Sequence, residues 1–488
     1  MKQTLEAAAG HGRRSNGGIT VEPLRSESSA LDDAATQAFT EGLGGEVLRP
    51  GDGAYDTARR VWNGMIDRRP ALIVRCLGVA DVQAAIRFAR EHKLLVAVRG
   101  GGHNVAGNAV CEGGIVIDLS RMRAVRVDPA RRTAHAEGGA TWGELDHEAS
   151  VHGLATTGGA VSTTGIAGLT LGGGVGWLAR RFGLACDNLL SVDLVTADGR
   201  LLTASASEHA DLFWGVRGGG GNFGVVTSFE YQLHSVGTVL GGMVLYPLEQ
   251  AGALARFYRD FATGAPEELS ALLLFLVAPP LPILPPHLHG ASLAGVMVCY
   301  SGPLAHGQEV LRPLRAFGTP VLDHILPMPY TTLQRLLDDG SPSGLLNYWK
   351  AGFLRELSDD SVATLAEHAA RTTLPGQMVE IFQFDGAVNR VGPEETAFSH
   401  RNGKFDFTAV AKWSDSADSE RYIAWARDFY RAMEPFTTGG VYVNYLGEEG
   451  EERVQAAYGS NYGRLVALKN QYDPTNLFRL NQNITPSV

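Results

Sequence analysis

Apolar and polar positions divide the chain into short strands and amphipathic helices whose character changes twice. Ala71-Leu-Ile-Val-Arg-Cys76 reads as a short buried strand. Behind it Val82, Ala85, Ile86 and Ala89 recur at helical spacing, with Asp81 as the opening residue. Leu95–Val98 is the next strand, so the segment predicts a crossover that sets two parallel strands side by side. Strands follow at Gly114–Leu119 and Ala134–Gly139, a helix at Thr141–Gly153, and a strand at Leu190–Thr196 closed by the turn Ala197-Asp-Gly199. Asp211–Trp214 reads as a helix start, and Val225–Tyr231 ends this first unit.

From about residue 237 the glycine clusters thin out. Longer helices alternate with apolar strands, including Leu272–Val277 and Gly295–Tyr300. Near Gly439 the character of the first unit returns, with a strand at Val441–Tyr445, a helix from Gln455 to Gln471, and the polar run Asn481-Gln-Asn-Ile484. The pattern predicts a loose tail over 1–40, a first domain over 41–236, a second over 237–440, and a segment, 441–488, returning to the first.

Composition narrows the function classes. Apolar residues at 44% and charged residues at 19% describe a globular chain. Lys+Arg 42 against Asp+Glu 52 gives a net charge of -10 with no basic block, which argues against nucleic acid. The opening MKQTLEAAAGHGRRSNGG has no apolar core of a secretory signal. Ala271–Ala278, the most apolar stretch, runs into Pro279, Pro280 and Pro282, too soon for a membrane span. The four cysteines, Cys76, Cys111, Cys186 and Cys299, form no C-x-x-C, so neither a zinc site nor a disulfide framework is expected, and the reducing cytoplasm is the expected location.

Sixty glycines in clusters point instead to backbone packed against a large cofactor. In Val98-Arg-Gly-Gly-Gly-His-Asn104, amides without Cβ atoms can converge on a pyrophosphate, with His103 beside the ligand. Read alone, the same segment also fits a tight turn carrying a solvated histidine. Gly219–Gly224 satisfies G-x-G-x-x-G but follows a helix and opens a strand, the reverse of a dinucleotide fingerprint. His147 and His152 are five apart, off a common helical face, and read as surface residues. No metal site is expected. On a strand, Tyr442 and Asn444 would face one way and Tyr445 the other.

Taken in order, Arg99-Gly-Gly-Gly-His103, Gly114-Ile-Val-Ile-Asp118, Gly138-Gly139, Gly165-Ile-Ala-Gly-Leu-Thr-Leu-Gly-Gly-Gly174, Gly183-Leu-Ala-Cys-Asp-Asn188, Leu212-Phe-Trp-Gly-Val-Arg-Gly218 and Asn222-Phe-Gly-Val-Val226 resemble the FAD-linked oxidases of the vanillyl-alcohol oxidase superfamily. Tyr472-Asp-Pro-Thr-Asn-Leu-Phe-Arg-Leu-Asn-Gln-Asn-Ile484 resembles the terminal signature of their berberine bridge enzyme-like branch. The resemblance spans about residues 45 to 485. It implies an α+β fold: a two-subdomain, PCMH-type FAD-binding domain (41–236 with 441–488) and an α/β substrate domain (237–440) whose antiparallel sheet covers the flavin.

The resemblance also implies site residues. FAD would be held by Arg99, Gly100, Gly101, Gly102, His103, Asn104 and Gly107 in the first loop. A second stretch would add Gly158, Thr163, Thr164, Gly165, Gly168, Gly172, Gly173, Gly174, Gly176 and Asn188. Gly224, Val225, Val226, Tyr442, Asn444, Asn481 and Asn483 would complete the set. In such proteins the histidine matching His103 is bonded to the flavin 8α-methyl. Many relatives carry a second link through a cysteine where this chain has Val161, so one covalent bond is expected. The usual serine after the motif arginine is Gly100 here, a change the loop can absorb. Tyr445 matches a tyrosine that serves as base in several relatives, with Lys350 as a candidate neighbour whose other reading is a surface lysine.

The implied activity is an FAD-dependent oxidase taking hydride from an alcohol or amine carbon of a small or natural-product metabolite, with O2 reduced to H2O2. The departure near Thr164, where relatives control oxygen access, leaves a dehydrogenase open. A scaffold that sequesters a planar molecule without turnover is the alternative, and a nicotinamide enzyme resting on Gly219–Gly224 a third. Partners would be a small-molecule substrate and O2, with no nucleic acid or membrane; the chain would be a monomer or homodimer.

Overall fold

Apolar runs between residues 46 and 118 form a small sheet in the order Glu46–Leu48, Leu72–Arg75, Ile115–Asp118, Val96–Arg99. The structure is a computed structural model that describes residues 33–487. Leu72–Arg75 and Val96–Arg99 each pair in parallel with Ile115–Asp118. The crossover therefore does not set its two strands side by side. The fully buried Ile115–Asp118 lies between them, its Ile115-Val-Ile117 run suiting the centre of a parallel sheet. The crossover helix, Val79–Glu91, buries Val82, Ala85, Ile86 and Ala89 completely. It starts two residues before Asp81, whose carboxylate accepts the Leu77 and Gly44 N–H groups at 2.9 Å each. The loose tail ends earlier than expected: Asp33–Glu41 is a helix, and Phe39 stacks on Phe88 at 4.2 Å. The rest of the expected tail, 1–32, lies outside the described residues.

A second, antiparallel sheet of five strands runs Val125–Asp128, Thr133–Glu137, Val225–Gln232, Leu189–Val195, Leu201–Ser205. Helix Trp142–Ser150 packs beside it, opened by a reciprocal box in which Thr141 and Glu144 cap each other's N–H. His147 on this helix and His152 beyond it are exposed. Gly219–Gly224 does follow helix Ala210–Val216 and lead into strand Val225–Gln232, as the sequence indicates.

Seven antiparallel strands build the third sheet, in the order Leu322–Pro329, Thr238–Pro247, Ser292–Tyr300, Leu269–Val277, Gln377–Gln383, Phe405–Trp413, Leu346–Leu354. Strict alternation gives it two faces. Leu273, Phe275, Val296, Ile381, Phe407 and Ala409 meet helices Ala251–Thr263, Leu304–Arg315, Asp359–Ala369 and Ser419–Met433 in one core. Leu272, Leu274, Met297 and Phe382 turn to the opposite face, towards the glycine loops. No helix among the described residues is long and apolar enough to cross a membrane.

The terminal segment departs from its expected elements in two places. Val441–Tyr445 is not a strand: Val443–Tyr445 is a single 3-10 turn in which the Tyr445 N–H donates to Tyr442 O at 2.9 Å, while the Tyr442 and Asn444 side chains bond the glycine loop. The expected long helix is two helices, Glu451–Tyr458 and Tyr462–Tyr472, broken at Gly459 (φ +53°), where a Cβ would press on Ser399 Oγ at 2.6 Å. Lys469 anchors this segment. Its fully buried ammonium donates to Asn222 O, Phe478 O and Asp473 Oδ2 at 2.8–2.9 Å. Asp473 also accepts the N–H groups of Leu477 and Phe478. Removing one partner of such a pair strands the other charge in the interior. Lys469→Ala is accordingly expected to cost about 3–5 kcal/mol, measured as a lowered urea midpoint of the flavin-loaded protein.

Candidate active site

Two glycine loops meet back to back. A Cβ on Gly101 would stand 2.4 Å from Gly165 N, and one on Gly165 the same distance from Gly101 N. Gly102 has φ +70°, and Gly107, at φ +72°, packs against Ile66. Gly176 abuts the Gly158 carbonyl so closely that any side chain is excluded. These contacts leave backbone, with no Cβ atoms in the way, around one cavity of about 460 Å³.

Gly100, Gly101, Gly102, His103 and Asn104 line that cavity from the first loop, and Thr164, Gly165, Gly168 and Gly176 from the second. Gly224, Val225 and Val226 close another side, with Asn481 from the terminus. Tyr442 latches the terminus to the second loop: its Oη accepts the Gly174 N–H at 2.9 Å and Asn444 Nδ2 at 2.8 Å. Asn444 also donates to Leu169 O at 3.1 Å.

His103 is fixed from two sides. Trp62 stacks on its ring at 5.1 Å, and its Nε2 is 3.1 Å from Thr163 Oγ1. Burial pushes the imidazole down to about 4, so the ring is neutral at physiological pH. Edge contacts carry the aromatic run onward from Trp62 to Trp349 (5.7 Å), Tyr445 (5.6 Å) and Tyr442 (4.8 Å).

The third sheet supplies the roof. Asp406, Thr408, Val410 and Lys412 alternate into the cavity from one strand, and Met378, Glu380 and Phe382 from its neighbour. Glu380 pairs with Thr408, and Phe382 with Asp406. The two carboxylates are therefore diagonal neighbours, about 7 Å apart at the backbone. Asp406 is 2% exposed and its Oδ1 has no partner. Burial, with Glu380 adding, pushes it up to about 8. Burial also raises Glu380 against the opposing charge of Lys412, and lowers Lys412 against that of Glu380. The Tyr445 phenol is held well above its usual 10 by burial, then by Asp406 and Glu380.

Several expected site residues lie off the lining. Lys350 is on the helix side of the roof, because alternation sends its neighbour Trp349 into the cavity. Its ammonium pairs with Glu449 at 2.8 Å, between the rings of Tyr348 and Tyr430, so it is no neighbour for Tyr445. Asn188 holds the loop before it, donating to Phe182 O and Leu184 O and meeting His234 at 2.6 Å. Arg99 donates to Ala58 O and braces Gly102 from behind. Gly172 and Gly173 make room for Asn444 and Phe398, Gly174 serves the Tyr442 latch, and Gly158 and Gly107 fix the loops. Asn483 Nδ2 meets Thr485 Oγ1 at 3.4 Å. Asp406, Glu380, Lys412, Trp62 and Trp349 are the site residues that motif reading does not reach.

A glycine cradle ending at a neutral histidine, under a sheet carrying buried acids, suits an extended phosphate-bearing cofactor. The buried Oδ1 of Asn481, which lines the cavity and lacks a partner, marks a polar position left for it beside the cradle. Comparison with known proteins agrees. The model of an FAD binding domain matches residues 70–205, and that described as berberine and berberine like matches 441–485. The chain is 34% identical over 469 residues to (R)-6-hydroxynicotine oxidase of Paenarthrobacter nicotinovorans, covering 91% of this chain and 97% of that one. An FAD-linked oxidoreductase of Dictyostelium discoideum is 32% identical over 453 residues, covering 92% and 96%. Among solved structures, 6-hydroxy-D-nicotine oxidase from Arthrobacter nicotinovorans superposes with a TM-score of 0.84 at 32% identity, covering 91% and 98%. Physcomitrella patens BBE-like 1 superposes at 0.82 with 25% identity, covering 91% and 97%.

Fold and site thus define an FAD-linked oxidoreductase with a PCMH-type flavin domain. Within that superfamily the chain belongs to the berberine bridge enzyme-like family. If the cradle holds the cofactor in this way, Gly101→Ala must push Gly165 aside. It is expected to yield folded protein with FAD content at least about tenfold below wild type, read from the absorbance ratio of flavin to protein.

Proposed function

We propose that this protein oxidises an alcohol or amine carbon of a small or natural-product metabolite, with FAD held by one covalent bond, to His103. FAD, when bound, supplies a hydride acceptor at N5 and passes the electron pair to O2, giving H2O2. Support for a single bond comes from Val161, which lines the cavity and has no nucleophile to form a second, while His103 lines the same cavity as a neutral imidazole.

The observation that carries the reading is Asp406: a buried carboxylate, unpartnered at Oδ1, on the same cavity as the glycine cradle. Asp406 takes the substrate proton as hydride leaves the carbon. Tyr445 is the base expected from the sequence, but a phenol raised by burial and by two carboxylates, with Lys350 turned away, stays protonated. It therefore acts as a hydrogen-bond donor that orients the substrate oxygen or nitrogen. Phe382, Leu272 and Leu274 exclude water around Asp406 and keep the proton transfer direct. A scaffold built only to sequester a planar molecule has no use for an unpaired buried acid, which favours turnover over storage. Thr164 lines the cavity from the second loop, and the rate of oxygen consumption against that of an artificial acceptor decides between oxidase and dehydrogenase.

Acid denaturation is expected to leave yellow colour on the wild-type chain and release it from His103→Ala. With a substrate found by an oxygen-consumption screen, Asp406→Asn is expected to lower kcat by about 10²–10⁴-fold at unchanged FAD content. Tyr445→Phe should cost less than Asp406→Asn, and the reverse order would return the base role to Tyr445. Because the carboxylate accepts a proton only when ionised, kcat/KM should climb with pH to a plateau above about 8, and this limb should vanish in Asp406→Asn.

A further inference from the structure

We infer that Asp146, behind the second glycine loop and outside the cavity, is a positioning residue for the bound flavin: as a neutral acid it leaves Gln334 to hold Gly159 in place, and on losing its proton it takes that hold away. The inference rests on the glycine cradle and on no step of turnover. The second loop is fastened from two sides. From helix Trp142–Ser150 the Trp142 and Gly143 N–H groups donate to Thr164 O at 2.9 Å and Ser162 O at 2.8 Å. From the segment that follows the roof's edge strand, Gln334 Nε2 donates to Gly159 O at 2.6 Å. Asp338 of the same segment accepts from Ser162 N at 2.9 Å and Ser162 Oγ at 2.6 Å. Gly159 and Thr164 line the cavity, and Thr163 between these fasteners reaches His103.

Asp146 stands where the helix meets that segment. It is 3% exposed, Gln334 is 0% exposed, and neither Asp146 oxygen has a hydrogen-bond partner. A carboxylate so placed carries its whole desolvation cost, so the group keeps its proton. The charges around it are engaged elsewhere. On its own helix His147 and Glu148 are exposed and Glu144 caps Thr141. Beyond Gln334, Arg335 and Asp339 are exposed and Asp338 is taken by Ser162. The strands packed on the helix give Val125, Val127, Ala134 and Ala136 to its core; Arg126 and His135 are exposed, and Asp128 and Glu137 accept backbone N–H groups. Tyr330 donates to Gln334 Oε1 at 3.3 Å, and burial, then Asp146, holds its phenol well above the usual 10. Burial pushes the Asp146 carboxyl up to about 8, against the Gln334 side chain, which favours the charged form. One amide thus has two claimants. A hydrogen bond to an ionised carboxylate is roughly twice as strong as one to a neutral acceptor, so the anion draws Gln334 from Gly159 and the neutral acid does not. A cleft of about 400 Å³, lined by Asp146 with the exposed His147, Ser150 and Thr332, gives the proton its route to solvent.

A pH titration of the visible absorbance and fluorescence of the FAD-loaded protein, without substrate, tests this. Wild type is expected to show a transition with its midpoint at about 8. Asp146→Asn, which keeps the shape but cannot ionise, should hold the low-pH spectrum throughout. Gln334→Leu, which cuts the link, should also show one spectrum at every pH, and it carries the test if Asp146→Asn does not accumulate. Asp406→Asn should keep the transition, which separates this proton from that of the roof acid. The folded chain holds a proton that the unfolded chain gives up near the ordinary carboxylate value. The wild-type urea midpoint should therefore fall as pH rises from about 4 to about 8, and fall less in Asp146→Asn. A flat wild-type spectrum, a transition that persists in Asp146→Asn or in Gln334→Leu, or one lost only in Asp406→Asn overturns the proposal. A purely structural Asp146 would lower the urea midpoint on substitution and leave the flavin transition in place.

Discussion

Everything in this protein hangs on a place where two backbones touch without side chains, at Gly101 and Gly165. That contact fuses the end of the first sheet to the helix Ile166–Leu171 that follows the second loop. A wall of Cβ atoms there would part the loops and fill the space between them. Because the approach is steric, it is intolerant in a way hydrophobic packing is not. A core leucine can often be exchanged at modest cost, whereas this junction accepts one residue type. The flanking contacts, Gly176 on Gly158 and Gly107 on Ile66, extend the same constraint along the cavity.

The roof works by a different rule. Its seven strands are paired so regularly that alternation alone decides which residues face the helices and which face the cavity. Asp406 and Glu380 face inward because they fall at even spacing from Thr408 and Phe382, on strands whose other faces are fixed by Phe407, Ala409, Val379 and Ile381. A one-residue slip would send both acids into the hydrophobic core among the helices, so the register that stabilises the domain also guards its chemistry.

These two rules explain how far the sequence can be read. Glycine clusters are local signals, and His103, Thr164, Gly165 and Asn481 can be picked out and fall on one cavity because their loops carry the information themselves. The acids are not local signals. A single Asp in Phe405–Trp413 or Glu in Gln377–Gln383 looks like any polar position on a strand, and its meaning depends on which strand lies alongside. Lys350 misleads for the same reason: only the face of its strand separates it from Trp349. Tyr442 and Tyr445 do not obey the alternation that a strand would impose, since the backbone between them closes a turn, the Tyr445 N–H donating to Tyr442 O. The order of the crossover strands is equally hidden, because a helix as long as Val79–Glu91 can skip a strand as readily as join two neighbours.

The terminal latch has a bearing on how the protein is made. Tyr442 ties down the second glycine loop, Lys469 reaches Asn222, and Asn481 lines the cavity, so these contacts come from far along the chain. On the ribosome, the two smaller sheets and the whole roof emerge before them, and a chain folds largely as it appears. A nascent chain halted at residue 440 would hold the glycine loops and the acids but would lack the side of the cavity that closes over them. The cavity is thereby completed only by the last stretch of chain to be made.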